Sequence, residues 1–364
     1  MALFLIKGVD KMNTIQMNLF DYFYEDESFT IKDATDAINK VKEMKVNNES
    51  VRARIYEGVE RGIFKKISRG VYQVTSQIKG KDTTCLLING DGRDLSSIPD
   101  KSIDGIVTDH PYLLTKSLKG GNRDFAKYEL FRYEKNDFIE KQRVLKDGAF
   151  LVEFLPEENE DNMDYLYQIK MMAKDAGFKY YSKVQWTKGT FVSNTGRKSS
   201  NCEDVMIFSN GKPRELRLNQ KKNLQEARCY GLEVKGKSSF QVKELLEKNS
   251  LPVHYMSGTA KMLPTSFDYQ PAKTKEKIHP AEKPVELLED IIQHISKPYE
   301  LLLDQFGGSG NFAIASLNTN RNAIVIEKDE ETYIKMEDNI KNKININQSP
   351  QQDEDGDDEL ELEF

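Results

Sequence analysis

Short apolar runs bounded by polar or glycine-containing turns recur through the chain after residue 85. Seven of them have the length and composition of buried strands, at residues 86–91, 103–108, 149–154, 179–186, 204–209, 299–303 and 323–326. Helical apolar spacing lies between several of these runs, at residues 137–145, 164–177 and 311–317. Strands that alternate with helices predict an α/β fold with a Rossmann-like, mostly parallel sheet of seven strands.

The first eighty residues have a different pattern, which predicts a separate module at residues 1–80. Residues 13–24 have helical apolar spacing, and a second short helix opens with Thr30 or Asp33 near its N-cap. Residues 48–50 are expected to cap a third helix over residues 51–62. The module is therefore predicted to contain three short helices.

A basic hairpin follows these helices at residues 63–74 and turns at Arg69-Gly70. Three helices and such a hairpin resemble a winged helix-turn-helix, which binds DNA. Five basic residues are then expected to contact DNA, in a major groove or at phosphates: Arg52, Arg54, Lys65, Lys66 and Arg69. Dimerisation or docking of a partner protein is the alternative role. Residues 75–82 are the predicted linker.

Composition indicates an intracellular enzyme. The chain of 364 residues is 38% hydrophobic and 31% charged, which is enough for a large core and two domains. Cys85, Cys202 and Cys229 form no Cys-x-x-Cys pair, and this argues against a disulfide framework and against a cysteine zinc site. The apolar start, residues 2–6, is too short for a signal or a membrane span, so we expect a cytoplasmic, nucleoid-associated protein.

The charge of the chain is uneven. Residues 353–364 contain eight acidic residues and no basic one, whereas the formal net charge of the whole chain is −6, so the remainder carries +2. The body of the protein is therefore not repelled by DNA as a whole. Residues 346–364 are predicted to be a disordered, solvated tail, and the alternative is that the tail competes with DNA phosphates for a basic groove.

A glycine-rich turn is the first candidate for chemistry. The predicted strand at residues 299–303 leads into Asp304-Gln305-Phe306-Gly307-Gly308-Ser309-Gly310, and a helix of small residues follows. Such a turn presents backbone N–H groups and a helix N-terminus to a nucleotide-like ligand. The next strand ends in Glu327, whose carboxylate would accept hydrogen bonds from ribose hydroxyls. The turn is therefore predicted to hold an adenosyl cofactor.

The second candidate, Asp109-His110-Pro111-Tyr112, follows a predicted strand and so lies at the carboxyl edge of the sheet. An exocyclic amine on a nucleobase is a poor nucleophile because its lone pair is delocalised into the ring. The Asp109 carboxylate and the backbone carbonyl of residue 110 are candidate acceptors for the amine hydrogens, and Tyr112 offers a flat surface for an extruded base. Taken alone, the segment is also compatible with an ordinary strand-to-loop turn.

Five segments occur in an order that resembles β-class S-adenosylmethionine-dependent DNA amino-methyltransferases: residues 88–91, 109–112, 144–149, 279–284 and 304–310. The resemblance implies a catalytic half at residues 81–210, a target-recognition region at 211–275 and a cofactor-binding half at 276–345. It implies catalytic roles for Asp109, His110, Pro111 and Tyr112. It also implies cofactor contacts from Asp91, His279, Lys283, Asp304, Phe306, Gly307, Gly308, Gly310 and Glu327.

His110 stands where this family has a proline. Proline restricts φ and preorganises the segment, whereas histidine leaves the backbone freer. We expect His110 to contribute only its backbone carbonyl. The alternative is that its imidazole contacts the extruded base or a phosphate, in which case the rate would titrate near the histidine pKa of about 6.5.

The resemblance implies methylation of double-stranded DNA at adenine N6, because the tetrad at residues 109–112 opens with aspartate. The chain has no Pro-Cys dipeptide, the usual nucleophile motif of cytosine C5 methylation. Cytosine N4 methylation remains open, and so does a DNA-binding regulator that has lost turnover. A polar loop at residues 188–200, with Arg197 and Lys198, is expected to touch the flipped nucleotide or its backbone.

Overall fold

The computed structural model describes residues 28–42, 46–60, 64–74, 77–113, 130–189, 201–271 and 281–348. The N-terminal part contains a small antiparallel sheet of three strands in the order β1-β3-β2. Two helices pack beside it, and the elements in chain order are β1 (Ser28–Thr30), α1 (Ile31–Lys42), α2 (Asn48–Glu60), β2 (Phe64–Ser68) and β3 (Val71–Val74).

Local capping explains where the two N-terminal helices begin. The Asp33 backbone N–H donates to Thr30 Oγ1 at 3.2 Å, and the Thr30 N–H donates to the Asp33 carboxylate at 2.9 Å, so Thr30 is the N-cap of α1. Helix α2 begins three residues before the predicted start, because Asn47 Oδ1 accepts the Ser50 N–H at 2.8 Å. The hairpin at Arg69-Gly70 is confirmed, with Gly70 at φ +80°.

The predicted helix at residues 13–24 lies outside the described residues, as do the acidic residues 353–364. The winged helix-turn-helix therefore stays a prediction. The predicted linker is wrong in part, since residues 77–79 form a strand that pairs antiparallel with the first long strand of the main sheet.

The remaining elements include a nine-stranded mixed sheet with helices on both faces and a separate sheet of two short strands. In chain order they are β4 (Gln77–Lys79), β5 (Thr84–Asn89), β6 (Ile103–Thr108), α3 (Lys135–Val144), β7 (Leu145–Pro156), α4 (Met163–Asp175), β8 (Phe178–Thr187), β9 (Cys202–Asn210), β10 (Arg217–Leu218), α5 (Gln220–Cys229), α6 (Ser239–Lys248), β11 (Tyr255–Met256), β12 (Ser266–Asp268), α7 (Val285–Ile295), β13 (Leu301–Asp304), α8 (Asn311–Asn318), β14 (Asn322–Glu327) and α9 (Glu330–Gln348).

The strand order in the sheet is β12-β8-β9-β7-β6-β13-β14-β5-β4. The centre, from β7 to β5, is parallel, whereas β9 pairs antiparallel with both β7 and β8, and the edge strand β12 is parallel to β8. The seven predicted strands are all present. The prediction of seven strands was incomplete because the short edge strands β4 and β12 have three residues each and too little pattern to detect.

Consecutive residues of the central strands face opposite layers, as the period of a strand requires. Val107 and Phe150 pack towards α7, α8 and α9, whereas Ile106 and Leu151 pack towards α3 and α4. All six residues of β6 are buried. A parallel sheet covered on both faces places its ligands at the carboxyl ends of the strands, and β5, β6, β13 and β14 end together at one edge.

The region at residues 211–275 contains more sheet than its sequence suggested. It holds the short antiparallel pair β10 and β11, and β12 joins the main sheet next to β8. Between them, α5 and α6 pack through a small apolar cluster of Ala227, Val242 and Leu246. In the part of the chain that the structure describes, no helix is long and apolar enough to cross a membrane.

Candidate active site

The two candidate segments meet at the carboxyl edge of the sheet. Strand β6 ends at Thr108, immediately before the tetrad, and β13 ends at Asp304, immediately before the glycine-rich turn. The Thr108 hydroxyl donates to Asp304 Oδ1 at 3.0 Å, and both side chains are buried. Adjacent parallel strands therefore bring together segments that are almost 200 residues apart in the chain.

The two oxygens of the Asp109 carboxylate have different surroundings. Its Oδ2 pairs with the ammonium group of Lys283, whereas its Oδ1 is buried and has no hydrogen-bond partner among the described residues. Burial raises the pKa of Asp109, and the Lys283 charge opposes that rise. One oxygen is thus fixed by a cation, and the other is an unsatisfied acceptor for which a ligand amine would supply the missing donor.

A chain of alternating charges extends from Asp109. Lys283 also lies 3.3 Å from Glu203 Oε2, and Lys188 pairs with Glu203 Oε1. Burial would raise the pKa of Glu203, but the two lysines hold it below its ordinary value. Burial would likewise lower the pKa of Lys283, yet Asp109 and Glu203 together raise it. Lys283 is therefore a permanently charged link between two carboxylates.

Lys283 was expected to contact the cofactor, and its ammonium group pairs with Asp109 and Glu203 within the protein. Its backbone carbonyl accepts a hydrogen bond from Asn311 Nδ2 at 2.8 Å, which ties the Lys283 segment to the first turn of α8. The cofactor contact of Lys283 stays a prediction. Glu203 was not among the expected site residues, and Lys188 was included only as the first residue of the polar loop at residues 188–200. Isolated charged residues near strand ends give no local signal of their partners.

The side chain of His110 is buried inside the protein, with 1% of its surface exposed. Its Nε2 lies 2.8 Å from the Tyr165 hydroxyl, and its ring stacks on Tyr133 with the centroids 3.9 Å apart. This burial argues against the alternative in which the imidazole contacts a base or phosphate. The expected role of the His110 backbone carbonyl stays a prediction, and the ring itself makes specific contacts within the protein.

The rest of the tetrad is held by the segment around Phe131. The Phe131 N–H donates to the Pro111 carbonyl, and the Leu113 N–H donates to the Phe131 carbonyl, both at 3.0 Å. Tyr112 is half-buried, and its ring lies edge-on to His110 with the centroids 5.3 Å apart. Phe131 also reaches the glycine-rich turn, where its ring lies 5.5 Å from that of Phe306. Phe131 was not predicted as a site residue.

The glycine-rich turn bends between β13 and α8. Gly310, at φ +79°, is the N-cap of α8, and the Gly307 N–H donates to the Ile326 carbonyl at 2.8 Å. A Cβ at Gly307 would lie 2.6 Å from Val325 Cγ1 and 2.5 Å from Met336 Sδ. Gly307 is therefore required by the packing of β14 and α9 against the turn, in addition to any approach of a ligand.

Glu327 closes the turn from the end of β14. Its carboxylate accepts the Gly308 N–H at 2.9 Å and the Asp329 N–H at 3.0 Å, and burial raises its pKa. Asp91, two residues after the end of the neighbouring β5, pairs with Lys328 at 3.1 Å. These carboxylates lie at the expected edge, and their contacts with a ribose or another cofactor group stay predictions.

The adjacent turn at Gly92 packs directly on the glycine-rich turn. Gln305 Nε2 donates to the Gly92 carbonyl at 2.6 Å, and a Cβ at Gly92 would collide with the Gln305 backbone oxygen. Gly92 was not predicted as a functional residue. This close approach holds the turn after β5 against the glycine-rich turn, which is the candidate cofactor site.

Burial raises the pKa of Asp304 to about 8, although hydrogen bonds from Phe306 and Thr108 oppose the rise. The folded protein then holds this proton more tightly than the unfolded chain does. The stability that this proton contributes is complete below the unfolded-state pKa of 3.8, and it is lost as the pH rises towards about 8.

We expect Asp304→Asn, which cannot ionise, to become more stable relative to wild type as the pH rises from about 4 to about 8. The gain is at most about 1.4 kcal/mol per pH unit and levels off above that range. Urea unfolding at a series of pH values measures it, with the exposed Asp147→Asn as control. A difference that does not change with pH would contradict the assigned proton.

The predicted DNA contacts lie on the N-terminal part or outside the described residues. Arg197, Lys198 and His279 belong to segments that the structure does not describe. On the N-terminal part, the five basic side chains that were predicted to contact DNA are all exposed: Arg52, Arg54, Lys65, Lys66 and Arg69. Arg54 pairs with Glu57 at 2.9 Å. Their contacts with DNA stay predictions.

Similarity to known proteins gives the chain a family. Residues 103–337, more than half of the chain, match the family model described as DNA methylase. The type II methyltransferase M.HpaI of Haemophilus parainfluenzae is 27% identical over 248 residues, which are 66% of this chain and 69% of that protein.

Two solved structures are also similar to the chain. The M1.HpyAVI–SAM complex covers 70% of this chain and 98% of its own, with 18% identity and a TM-score of 0.43. The PvuII DNA methyltransferase, named as cytosine-N4-specific, covers 74% and 92%, with 17% identity and a TM-score of 0.45. The match of the family model spans the tetrad, the Lys283 segment and the glycine-rich turn, and the chain belongs to the DNA methylase family.

Proposed function

We propose that this DNA methylase transfers a methyl group from S-adenosylmethionine to adenine N6 in double-stranded DNA. The observation that carries the proposal is the Asp109 carboxylate, whose Oδ2 is held by Lys283 and whose buried Oδ1 lacks a donor among the described residues. Asp109 stands next to the glycine-rich turn, to which Thr108 is hydrogen-bonded. This arrangement suits an acceptor for a substrate amine beside a bound methyl donor.

The residues of the turn fit S-adenosylmethionine. Gly308 and Gly310 have positive φ, so the backbone bends tightly before the N-terminus of α8. The Glu327 carboxylate accepts two backbone N–H groups and keeps further lone pairs for ribose hydroxyls. Asp91 follows the end of β5 by two residues, on the same edge. When bound, the cofactor supplies an electrophilic methyl group on a sulfonium centre.

The protein's own contribution is to localise the lone pair of the target amine. Asp109 Oδ1 and the His110 carbonyl accept the two amine hydrogens, which directs the lone pair out of the ring plane towards the methyl carbon. A carbon–sulfur bond breaks as the nitrogen–carbon bond forms. The methylated nitrogen then gives up one proton, and we assign Asp109 as its first acceptor. Tyr112 stacks on the extruded base.

Adenine is proposed as the target because the tetrad opens with aspartate. The test is incubation of the full-length protein with unmethylated DNA and labelled S-adenosylmethionine, followed by digestion and chromatography of the nucleosides. N6-methyladenine is the expected product. N4-methylcytosine would replace the proposed target and leave the reaction class intact. Binding of S-adenosylmethionine without any transfer would favour the DNA-binding regulator.

We further propose that the basic hairpin of the N-terminal part contacts DNA phosphates. The triple change Lys65→Ala, Lys66→Ala and Arg69→Ala should weaken DNA binding. A plot of the logarithm of the affinity against the logarithm of the salt concentration should also become less steep. Its slope should change by about 0.9 for each phosphate that the variant no longer neutralises. Affinity for S-adenosylmethionine should not change, because no cofactor residue is altered. Fluorescence anisotropy across a salt series measures the slope.

A matched control removes three exposed lysines elsewhere on the protein, Lys101, Lys174 and Lys179. This variant loses the same formal charge without touching the hairpin. Equal salt slopes for the two variants would mean that the hairpin does not contact DNA and would favour its alternative role in protein docking or dimerisation.

A further inference from the structure

A group of buried polar side chains lies beneath the tetrad and takes no direct part in the proposed transfer. Tyr165, on α4, accepts a hydrogen bond from the Tyr133 backbone N–H at 2.9 Å. A hydroxyl has a single hydrogen, which is therefore available for His110 Nε2 at 2.8 Å. In that arrangement the neutral imidazole carries its own proton on Nδ1. One hydroxyl thus connects the tetrad to the segment that follows Phe131.

The Tyr133 ring provides the second contact of His110. The two rings stack at 33° with their centroids 3.9 Å apart. The Tyr133 hydroxyl donates to Glu153 Oε2 at 3.2 Å, and the Lys141 ammonium group lies 3.7 Å from the centroid of the Tyr133 ring. Tyr133 is therefore fixed at its backbone, its ring and its hydroxyl.

The Lys141–Glu153 ion pair anchors this group. Both side chains have no exposed surface, and Glu153 lies opposite Thr108 in the pairing of β6 and β7. His110 Nδ1 is 4.0 Å from Glu153 Oε2. A buried ion pair seldom stabilises a fold more than apolar residues of the same volume would, so its contribution is better sought in the geometry that it imposes. Here the ion pair fixes Tyr133, and Tyr133 packs against the ring of His110. We call the side chains of Tyr133, Tyr165, Lys141 and Glu153 the His110 seat.

Burial, together with the Lys141 charge, lowers the pKa of His110 well below its ordinary value. The ionisable groups around the imidazole are Glu153, Lys141, Tyr112, Tyr133 and Tyr165, and burial raises the pKa of Tyr133 and of Tyr165. The ring is therefore neutral near pH 7 and serves as a packed, hydrogen-bonded anchor.

We propose that Tyr165 and Tyr133 are positioning residues, which hold the His110 ring and thereby fix the backbone carbonyl of His110 that faces the target amine. Histidine leaves its backbone freer than proline does, so this position needs a restraint from elsewhere. The restraint comes from tertiary contacts of the side chain. The inference rests on the proposed function, because the carbonyl matters only if an amine is the substrate.

The test is a double-mutant cycle between Tyr165→Phe and His110→Pro. Tyr165→Phe removes only the hydroxyl, and we expect it to lower kcat by about tenfold while KM for DNA and the Kd for S-adenosylmethionine stay within about threefold. In the His110→Pro background, the loss of the hydroxyl should change kcat by less than about threefold, because the proline ring restrains the backbone by itself. Equal losses in both backgrounds, or no loss in wild type, would overturn the proposal.

Hydrogen exchange gives a readout that does not depend on activity. The Leu113 and Phe131 amides are bonded across the two segments that the His110 seat connects, so they should exchange faster in Tyr165→Phe than in wild type. A matched control is Tyr333→Phe, which removes another buried hydroxyl, one that donates to the Leu87 carbonyl away from the tetrad. Unchanged exchange in Tyr165→Phe, or equal acceleration in both variants, would overturn the proposal.

These readouts separate the two hypotheses. A wild-type protein that transfers no methyl group to DNA would refute the proposed function, and exchange would still report on the His110 seat. If wild type transfers methyl groups normally and Tyr165→Phe has no effect, only the positioning role of Tyr165 and Tyr133 would be refuted. If His110→Pro does not fold, the comparison of Tyr165→Phe with Tyr333→Phe decides through kcat and exchange.

Discussion

Asp109→Ala is expected to lower kcat for methyl transfer by at least about 10²- to 10³-fold, the usual effect of removing a preorganised electrostatic contact to a reacting group. Binding of S-adenosylmethionine should stay within about threefold, because the carboxylate acts on the target amine. Single-turnover transfer of labelled methyl groups and calorimetry measure the two quantities. Asp109 is the only group proposed to supply both an acceptor and a negative charge to that amine.

Asp109→Asn refines this test. The amide keeps the shape and one acceptor oxygen but removes the charge that pairs with Lys283, so activity between that of Asp109→Ala and wild type would separate acceptor placement from charge. Asp147→Ala, at an exposed carboxylate that pairs with Lys101, is the control and should retain wild-type activity. Turnover of Asp109→Ala within tenfold of wild type would remove Asp109 from the proposed mechanism.

Lys283→Met should lower the rate at pH 7 by about 10²-fold or more and should make the rate rise with pH. Burial and the Glu203 charge raise the pKa of Asp109, and the Lys283 charge opposes them. Without that cation the pKa rises further, so a smaller fraction of Asp109 is ionised at pH 7. Raising the pH restores the carboxylate and with it part of the rate. Wild type should have a flatter profile over the same range.

The control is Lys188→Met, which removes the outer lysine of the same charge chain and leaves the Lys283–Asp109 pair in place. Its loss of rate should be smaller, and its pH profile should resemble that of wild type. A pH-independent loss in Lys283→Met would mean that Lys283 does not keep Asp109 ionised. A loss of S-adenosylmethionine affinity greater than about tenfold would assign Lys283 to the cofactor as well, as the resemblance implies.

The strands and the two candidate segments were predictable because each depends on short-range pattern. Strand β6 is a run of six buried residues, and Asp109 follows it directly. The same holds for β13 with Asp304 and for β14 with Glu327. Parallel strands place their carboxyl ends at one edge, so the neighbourhood of these residues followed from the fold class. The short strands β4 and β12 escaped detection since three residues carry no measurable period.

The chemistry of individual side chains was less predictable. Lys283 was assigned to a cofactor because its segment precedes the glycine-rich turn, yet its ammonium group lies on Asp109, 174 residues away in the chain. His110 was expected to act through its carbonyl alone, yet its ring is held by Tyr165 and Tyr133. Neither contact has a periodic or local signature. Both contacts depend on how the helices and the connecting segments pack against the carboxyl edge of the sheet.

The sequence by itself determined the α/β class, the order of the strands along the chain, the place of Asp109 and of the glycine-rich turn at strand ends, and the family that their order resembles. The tertiary structure alone decided the partners: Lys283 and Glu203 beside Asp109, and Tyr133, Tyr165 and Glu153 around His110. The physical reason is one of range. Backbone periodicity acts over a few residues, whereas burial and ion pairing join side chains only after the sheet and its helices have packed.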